Sequence, residues 1–66
     1  MRLTVNGEER SFEGVAHVAG LLEKLGLDAR KVAVELNLAI VPRSTYGAAP
    51  VREGDRLEIV QFVGGG

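Results

Sequence analysis

The sequence of 66 residues predicts a small α+β domain whose elements follow one another in the order ββαββ. Apolar and polar residues alternate with a period of two near both ends of the chain, which is typical of strands with one buried face. A single segment between them repeats its apolar residues with the period of an α-helix. We therefore expect a sheet with one helix packed on one face, built around a core close to the smallest that suffices for a domain.

The first two strands are predicted to form a hairpin. Leu3 and Val5 alternate with polar neighbours, and the dipeptide Asn6-Gly7 tolerates the positive φ angles that a tight hairpin turn needs. The return strand should run over about residues 9–12 and send Phe12 into the core.

The helix is the clearest element in the sequence. Gly26 can end it in the left-handed conformation, whereas His17 occupies the N-cap position, where Ser, Thr, Asp or Asn would serve better. Gly20 costs about 1 kcal/mol relative to alanine inside a helix, and we interpret it as letting the helix sit close to the sheet. The helical stripe, with spacing i, i+3, i+4 and i+7, consists of Val18, Leu21, Leu22 and Leu25.

The second half of the chain predicts two full strands and, between them, a short edge strand that the order ββαββ does not count. Alternation over residues 32–36 gives the third, and residues 39–41 give a short fourth that Pro42 should confine to an edge, since proline cannot donate to a ladder. Residues 43–52 lack a period and should form a loop with one helical turn, anchored by Tyr46. The last strand covers residues 56–62.

The last strand raises a question about its two faces. If Leu57 and Ile59 face the helix, Val60 and Phe62 share the opposite face and Gln61 points inward. A central strand covered on both faces, or a bulge, would hide these side chains, whereas an open face would present a patch for a partner. Because only one helix is long enough to cover a face, we favour an open face with a docking patch.

Composition and charge argue against several classes of function. Eight Lys and Arg against nine Asp and Glu give a net charge of −1. The chain therefore lacks the excess of positive charge that is typical of proteins that bind nucleic acid or an anionic membrane. No segment approaches the ~20 apolar residues of a membrane-spanning helix, and the first residues do not resemble a signal peptide. A soluble cytoplasmic protein is therefore the default expectation.

The sequence also lacks a recognisable catalytic constellation. It has one histidine and no cysteine, and it shows neither a phosphate-binding loop nor metal-ligand spacing. His17 at the start of a helix is more often structural than a general base. Arg43 could bind a carboxylate of a partner, although an exposed arginine needs no special role. We expect no catalytic residue, no bound cofactor and no metal.

The C-terminal segment Gly64-Gly65-Gly66 follows the apolar strand directly. Glycine loses more conformational entropy on folding than any other residue, so such a run adds nothing to a core. It is either a frayed end or linker remnant, or a slender tail that can thread a narrow enzyme cleft. In the second case the carboxylate of Gly66 is the reactive group, once an acyl adenylate makes its oxygen a good leaving group.

Several motifs together resemble the ThiS family, the sulfur carriers of thiamin biosynthesis, over the whole chain. The resemblance implies a β-grasp (ubiquitin-like) fold, a mixed sheet in which the last strand lies beside the first. Two positions depart from the usual pattern, Tyr46 where tryptophan is common and His17 where threonine is common. The motifs are Val5-Asn6-Gly7, Leu21-Leu22 with Leu25, the run 32–37, Ile40-Val41-Pro42-Arg43, Gly54-Asp55, and the run 59–63 leading into Gly64-Gly65-Gly66.

The resemblance implies a protein co-substrate and not an enzyme. An E1-like adenylating enzyme of the ThiF type would use ATP to adenylate Gly66, and a persulfide sulfur donor such as a cysteine desulfurase would convert the adenylate into a thiocarboxylate. Thiazole synthase, of the ThiG type, would then receive the sulfur. On this view residues 1–63 form the domain and 64–66 a flexible tail, in which Gly64 and Gly65 lead to the modified residue. The partner-docking residues would be Val60, Phe62 and Val63.

Three alternatives stay open at this point. Another β-grasp sulfur carrier, such as the small subunit of molybdopterin synthase, shares the Gly-Gly end, although it is usually longer and lacks a segment like Val41-Pro42-Arg43. A ubiquitin-like modifier would link Gly66 to lysines through an amide. A β-grasp RNA-binding module would need a basic face that this composition does not obviously supply.

Overall fold

The computed structural model describes residues 1–62, which form one five-stranded sheet and one α-helix. Two 3₁₀ turns, Ala29–Lys31 and Arg43–Thr45, lie in the connections. No helix of these residues is long and apolar enough to span a membrane. The regular elements are β1 (Arg2–Val5), β2 (Glu8–Ser11), α1 (Val18–Lys24), β3 (Val32–Leu36), β4 (Ala39–Val41) and β5 (Arg56–Gln61).

The last strand lies in the middle of the sheet. The strand order is β2-β1-β5-β3-β4, with β5 parallel to β1 and antiparallel to β3. The expected α+β fold with a mixed sheet is confirmed, and β4 is an edge strand as Pro42 predicted. Because a parallel pair cannot be joined by a hairpin, the connection between β1 and β5 has to carry the helix and the intervening strands.

The Asn6-Gly7 hairpin forms as predicted. Both residues have positive φ, 51° and 80°, which is the geometry of the two-residue turn that matches the twist of the flanking strands. The return strand begins one residue earlier than expected, at Glu8, and Phe12 follows it into the core.

The N-cap residue of the helix, His17, is a better cap than its residue type suggested. The imidazole Nδ1 of His17 accepts a hydrogen bond from the backbone N–H of Gly20 at 3.1 Å, so the histidine is a working N-cap whose proton sits on Nε2. At the other end Gly26 has φ 72°. The N–H of Leu27 donates to the carbonyl of Leu22 at 2.9 Å and that of Gly26 to Glu23 at 3.0 Å, which is a Schellman cap.

The interpretation of Gly20 as a point of close approach to the sheet is wrong. A Cβ built there would meet only the imidazole of His17, at 3.6 Å, and no atom of the sheet within 4 Å. A Cβ at that distance would be in ordinary van der Waals contact with the capping ring, so no neighbour requires a glycine here.

The core lies entirely between the helix and one face of the sheet. Tyr46 is 5% exposed and donates its hydroxyl hydrogen to the carbonyl of Val32 at 3.1 Å, so it anchors the long loop as predicted. None of the buried residues among those described is polar or charged apart from this tyrosine hydroxyl. The buried set is Leu3, Val5, Phe12, Val15, Val18, Leu21, Leu22, Val32, Val34, Val41, Tyr46, Val51, Leu57 and Ile59.

Two asparagine side chains in the hairpin turns hold β5, one at its first residue and one in its middle. Asn6 Oδ1 accepts from the N–H of Ile59 at 2.7 Å and Asn6 Nδ2 donates to its carbonyl at 3.2 Å, so the side chain continues the parallel pairing past the end of β1. Asn37 accepts from the N–H of Arg56 at 3.0 Å and donates to Asp55 at 3.0 Å. Together they fix β5 against its two neighbours.

Replacing Asn6 with glycine keeps the positive φ and removes only the side-chain hydrogen bonds. We expect Asn6→Gly to lower the free energy of unfolding by about 1–2 kcal/mol, since it removes two partly buried hydrogen bonds. Urea denaturation measures the loss. Asn37→Gly is the matched variant, because it deletes two exposed bonds from an equivalent turn, and it should cost less. Equal losses would show that Asn6 has no special role.

The N-cap can be tested with two substitutions at one position. His17→Ala should lower the free energy of unfolding by about 1 kcal/mol, whereas His17→Asn should retain most of it because asparagine is a good cap. For a domain of this size the alanine variant should melt about 4–8 °C lower for each kcal/mol lost. If both variants lose the same amount, the ring contributes through packing and not through the cap.

Candidate functional site

The two faces of β5 differ as the alternation predicted. Leu57 is fully buried and Ile59 is 8% exposed, whereas Val60 is 62% and Phe62 50% exposed. The helix covers the first face, and no described element covers the second. The open face with exposed Val60 and Phe62 is therefore observed, and its role in docking stays a prediction.

Gln61 lies on the helix side of the sheet but is not buried. Its side chain lines a groove of about 260 Å³ between the end of the helix and the sheet, and the residue is exposed. The prediction that Gln61 points inward is right in that its side chain lies on the helix side of the sheet. The side chain is nevertheless exposed, because the short helix ends before it can cover this position. The groove is lined by Val5, Asn6, Arg10, Leu25, Leu27, Ile59 and Gln61.

The open face continues across β3 to β4. Ala33 lies opposite Val60, while Glu35 lies opposite Glu58 on one side and Ile40 on the other. Ile40 is 78% exposed, a feature that the sequence analysis missed. It could have been found by applying the period of two to β4, where the buried Val41 forces Ile40 outward.

The turn between β3 and β4 exposes a second large apolar residue. Leu38 is 82% exposed and has φ 73°, a left-handed conformation that costs a non-glycine residue about 1–2 kcal/mol. An exposed leucine in a conformation that glycine would adopt without strain contributes nothing evident to the fold. Strained exposed positions of this kind are enriched at functional sites.

Arg43 is held against the end of β5, although the sequence analysis gave it no structural role. Its Nε donates to the carbonyl of Ala29 at 3.2 Å and one terminal nitrogen lies 3.4 Å from the carbonyl of Val32. The guanidinium carbon stands 5.7 Å from the centroid of the Phe62 ring, within the range of a cation–π interaction. One side chain thus connects a 3₁₀ turn, the start of β3 and the last described residue.

The turn that receives Arg43 is itself capped. Asp28 Oδ1 accepts from the N–H of Arg30 at 2.9 Å, and the Arg30 guanidinium donates to both carboxylate oxygens of Asp28. The side-chain hydrogen bond from Arg30 lowers the pKa of the Asp28 carboxyl to about 2. The carboxylate therefore stays ionised, and the cap intact, at any pH near neutrality.

The last described residue, Phe62, is held in place by its backbone and its ring. The N–H of Phe62 donates to the carbonyl of Lys31 at 2.8 Å, and the ring of Phe62 lies beside Arg43. The expected docking residue Val63 and the expected tail Gly64, Gly65 and Gly66 lie outside the described residues, so the domain boundary at 63 and the roles of these residues stay predictions. No group of three or more His, Asp or Glu side chains in residues 1–62 could hold a metal ion.

Comparison with known proteins places this geometry in a family. The sequence profile of the ThiS family matches residues 3–66. The chain belongs to the ThiS family. This family comprises sulfur carriers of thiamin biosynthesis.

Three relatives illustrate the likeness. The crystal structure of the thiamine biosynthesis protein ThiS from Geobacter metallireducens superimposes with a TM-score of 0.85 at 39% identity, covering 100% of both chains. The sulfur carrier protein ThiS of Thermus thermophilus is 36% identical over 62 residues, which are 94% of this chain and 95% of that protein. A thiazole synthase from Paramagnetospirillum magneticum is 58% identical over all 66 residues, but the chain spans only 20% of its length.

These comparisons confirm the β-grasp fold of the ThiS type and the family expected from the sequence. The long relative adds a fact that the sequence did not suggest, since a segment similar to the whole of this chain occurs within a protein named thiazole synthase.

The contacts of Arg43 predict a measurable effect on the end of β5. Arg43→Lys keeps the charge but loses the planar fork that reaches two carbonyls and stacks on Phe62. We expect the amide of Phe62 to exchange several-fold faster with solvent, together with a loss of about 0.5–1.5 kcal/mol in the free energy of unfolding. Amide exchange followed by NMR measures both. Arg52→Lys, at another exposed arginine, is the matched control, and unchanged exchange at Phe62 in the Arg43 variant would contradict the anchoring role.

Proposed function

We propose that this chain carries sulfur as a thiocarboxylate on Gly66 for thiazole formation in thiamin biosynthesis. An E1-like adenylating enzyme of the ThiF type activates the carboxylate, a persulfide donor such as a cysteine desulfurase supplies the sulfur, and a ThiG-type thiazole synthase receives it. ATP is consumed by the adenylating enzyme, and the chain itself binds no cofactor. The cycle runs in the cytoplasm, where ATP is available.

The proposed chemistry proceeds in three steps that balance. The Gly66 carboxylate attacks the α-phosphorus of ATP and releases pyrophosphate, which leaves an acyl adenylate. The terminal sulfur of a persulfide attacks the carbonyl carbon and displaces AMP, giving an acyl disulfide. A thiol then attacks the other sulfur, so that the thiocarboxylate leaves on Gly66 and a disulfide forms.

The observation that carries the proposal is the match to the ThiS family, which extends to residue 66. Glycine is suited to the reacting position because it has no Cβ that would shield the carbonyl or widen the segment that enters an active-site cleft. The described residues offer no metal-ligating group, and the chain has no cysteine.

In this proposal the partner enzymes bind the chain at the open face of its sheet. Val60 and Phe62, with Val63 next in the sequence, present an apolar surface directly before the tail. An enzyme that holds this patch places the tail in its cleft and gains the free energy of burying apolar surface. The relative named thiazole synthase supports the choice of sulfur acceptor, since a carrier-like segment lies within its chain.

Mass spectrometry of the intact chain tests the modification. After incubation with ATP, a ThiF-type enzyme, a persulfide donor and a thiol, the mass should rise by the difference between one sulfur and one oxygen atom. A variant that lacks Gly66 should not react at the same rate, because its activated residue would no longer reach the same position. Isopeptide-linked ladders in place of the sulfur adduct would indicate a protein modifier and overturn the proposal.

The docking role of the patch is tested at Phe62. Phe62→Asp should raise the KM for the carrier in adenylation by about tenfold to a hundredfold, as expected for the lost burial of one aromatic side chain. The fold should persist because half of the side chain is already exposed. Gln61→Asp is the matched control, since it adds the same charge one residue earlier on the helix side. Unchanged adenylation of the Phe62 variant would remove this residue from the docking patch.

A further inference from the structure

A short segment at the start of β3 supplies the last backbone hydrogen bond of the sheet. The carbonyl of Lys31 accepts from the N–H of Phe62 at 2.8 Å. This bond lies one step beyond Val32 and Gln61, the last register pair of β3 and β5. Residues at the end of a strand fray unless further contacts hold them. The order of Phe62 therefore depends on what holds the segment around Lys31.

Arg43 holds this segment on both sides of Lys31. Its Nε donates to the carbonyl of Ala29 at 3.2 Å, and one terminal nitrogen lies 3.4 Å from the carbonyl oxygen of Val32. The same oxygen of Val32 accepts from the buried hydroxyl of Tyr46 at 3.1 Å. These three contacts come from the 3₁₀ turn after β4 and its cap, and they fix the segment in place.

The guanidinium of Arg43 also contacts Phe62 directly. Its carbon stands 5.7 Å from the centroid of the ring, within the range of a cation–π interaction. The ring of Phe62 is thus held by Arg43 itself, and the backbone N–H is held through the segment that Arg43 fixes. Loss of the guanidinium would loosen both contacts at once.

We propose that Arg43 is a positioning residue for the adenylation of Gly66, because it fixes the place and the direction in which the chain leaves the domain after Phe62. This rests on the proposed function. Four residues follow Phe62 in the sequence, and they span at most about 14 Å when extended. Within so short a reach, the orientation of Phe62 decides how often the carboxylate of Gly66 meets the α-phosphorus of ATP in a docked complex.

Orientation should matter more than the length of the unanchored segment. If the last anchored residue moved from Phe62 back to Val60, that segment would grow from four residues to six. The effective concentration of its end would then fall only about twofold, since it varies roughly as the −3/2 power of length. A lost direction adds to this factor. Because the apolar side chains of the docking patch are kept, the loss should fall on kcat and not on KM.

Two substitutions at Arg43 test the role. Arg43→Met removes the charge and the donors at similar length, whereas Arg43→Lys keeps the charge and loses the planar fork. In ATP–pyrophosphate exchange with a ThiF-type enzyme, both should lower kcat by about threefold to tenfold and leave the KM for the carrier within about twofold. The assays run well below the melting temperature of each variant, so that both stay folded. Arg52→Lys is the control, and its kcat should match that of the unaltered chain.

Phe62→Leu completes a double-mutant cycle, because it keeps an apolar side chain on the docking patch and removes the ring. Combined with Arg43→Met, it should lower kcat by less than the product of the two single losses, since the residues act through one contact. Fully multiplicative losses would indicate that Arg43 contacts the enzyme directly and would overturn the inference. So would an unchanged kcat, a loss confined to KM, or full kcat in the lysine variant. Failure of the unaltered chain to support exchange would overturn the proposed function as well.

Discussion

The rest of the structure depends on the register of β5, and the side chain of Asn6 sets much of that register. By bonding both backbone groups of Ile59, it acts as one more residue of β1 and fixes which residue of β5 stands at the end of the parallel pair. Side chains alternate between the faces of a strand, so a slip by one residue would bring Glu58 and Val60 into the core and expose Leu57 and Ile59. The core and the open face therefore share a single constraint.

A sheet of five strands covered by a helix of seven residues must leave one face open. On that face a soluble domain normally places polar side chains, and Glu35, Glu58 and Arg56 follow the rule. Ile40, Val60 and Phe62 do not, and together with the strained Leu38 they concentrate the exposed apolar surface between β4 and the start of the tail. Such concentration is typical of an interaction surface. Being exposed, these side chains add little to the stability of the core.

Local patterns in the sequence predicted most of the fold, because the period-two strands, the helical stripe and the Asn-Gly turn each depend on neighbouring residues. The errors concern contacts that such patterns do not encode. His17 caps the helix with a ring nitrogen, a residue type that ranks low among N-caps, and Gly20 lies next to that ring and not next to the sheet. The contact between Arg43 and Phe62 joins residues that are distant in the sequence. Local patterns therefore could not predict it, and the sequence marked Arg43 only as part of a motif shared with the family. The alternation of side chains could have predicted that Ile40 is exposed, but a strand of three residues is too short to show a clear period of two.

The proposed function separates recognition from chemistry along the chain. On that proposal the open face of the sheet is the surface that partners bind, while the reacting carbonyl of Gly66 lies beyond the described residues. Because the adenylating enzyme and the thiazole synthase would both need the tail and the adjoining patch, they cannot occupy the carrier together, and they must bind it in turn. In a relative where the carrier-like segment is part of the thiazole synthase chain, one of these partners is present at a high effective concentration. On the proposed function, an adenylating enzyme would then have to compete with that linked partner for the same patch.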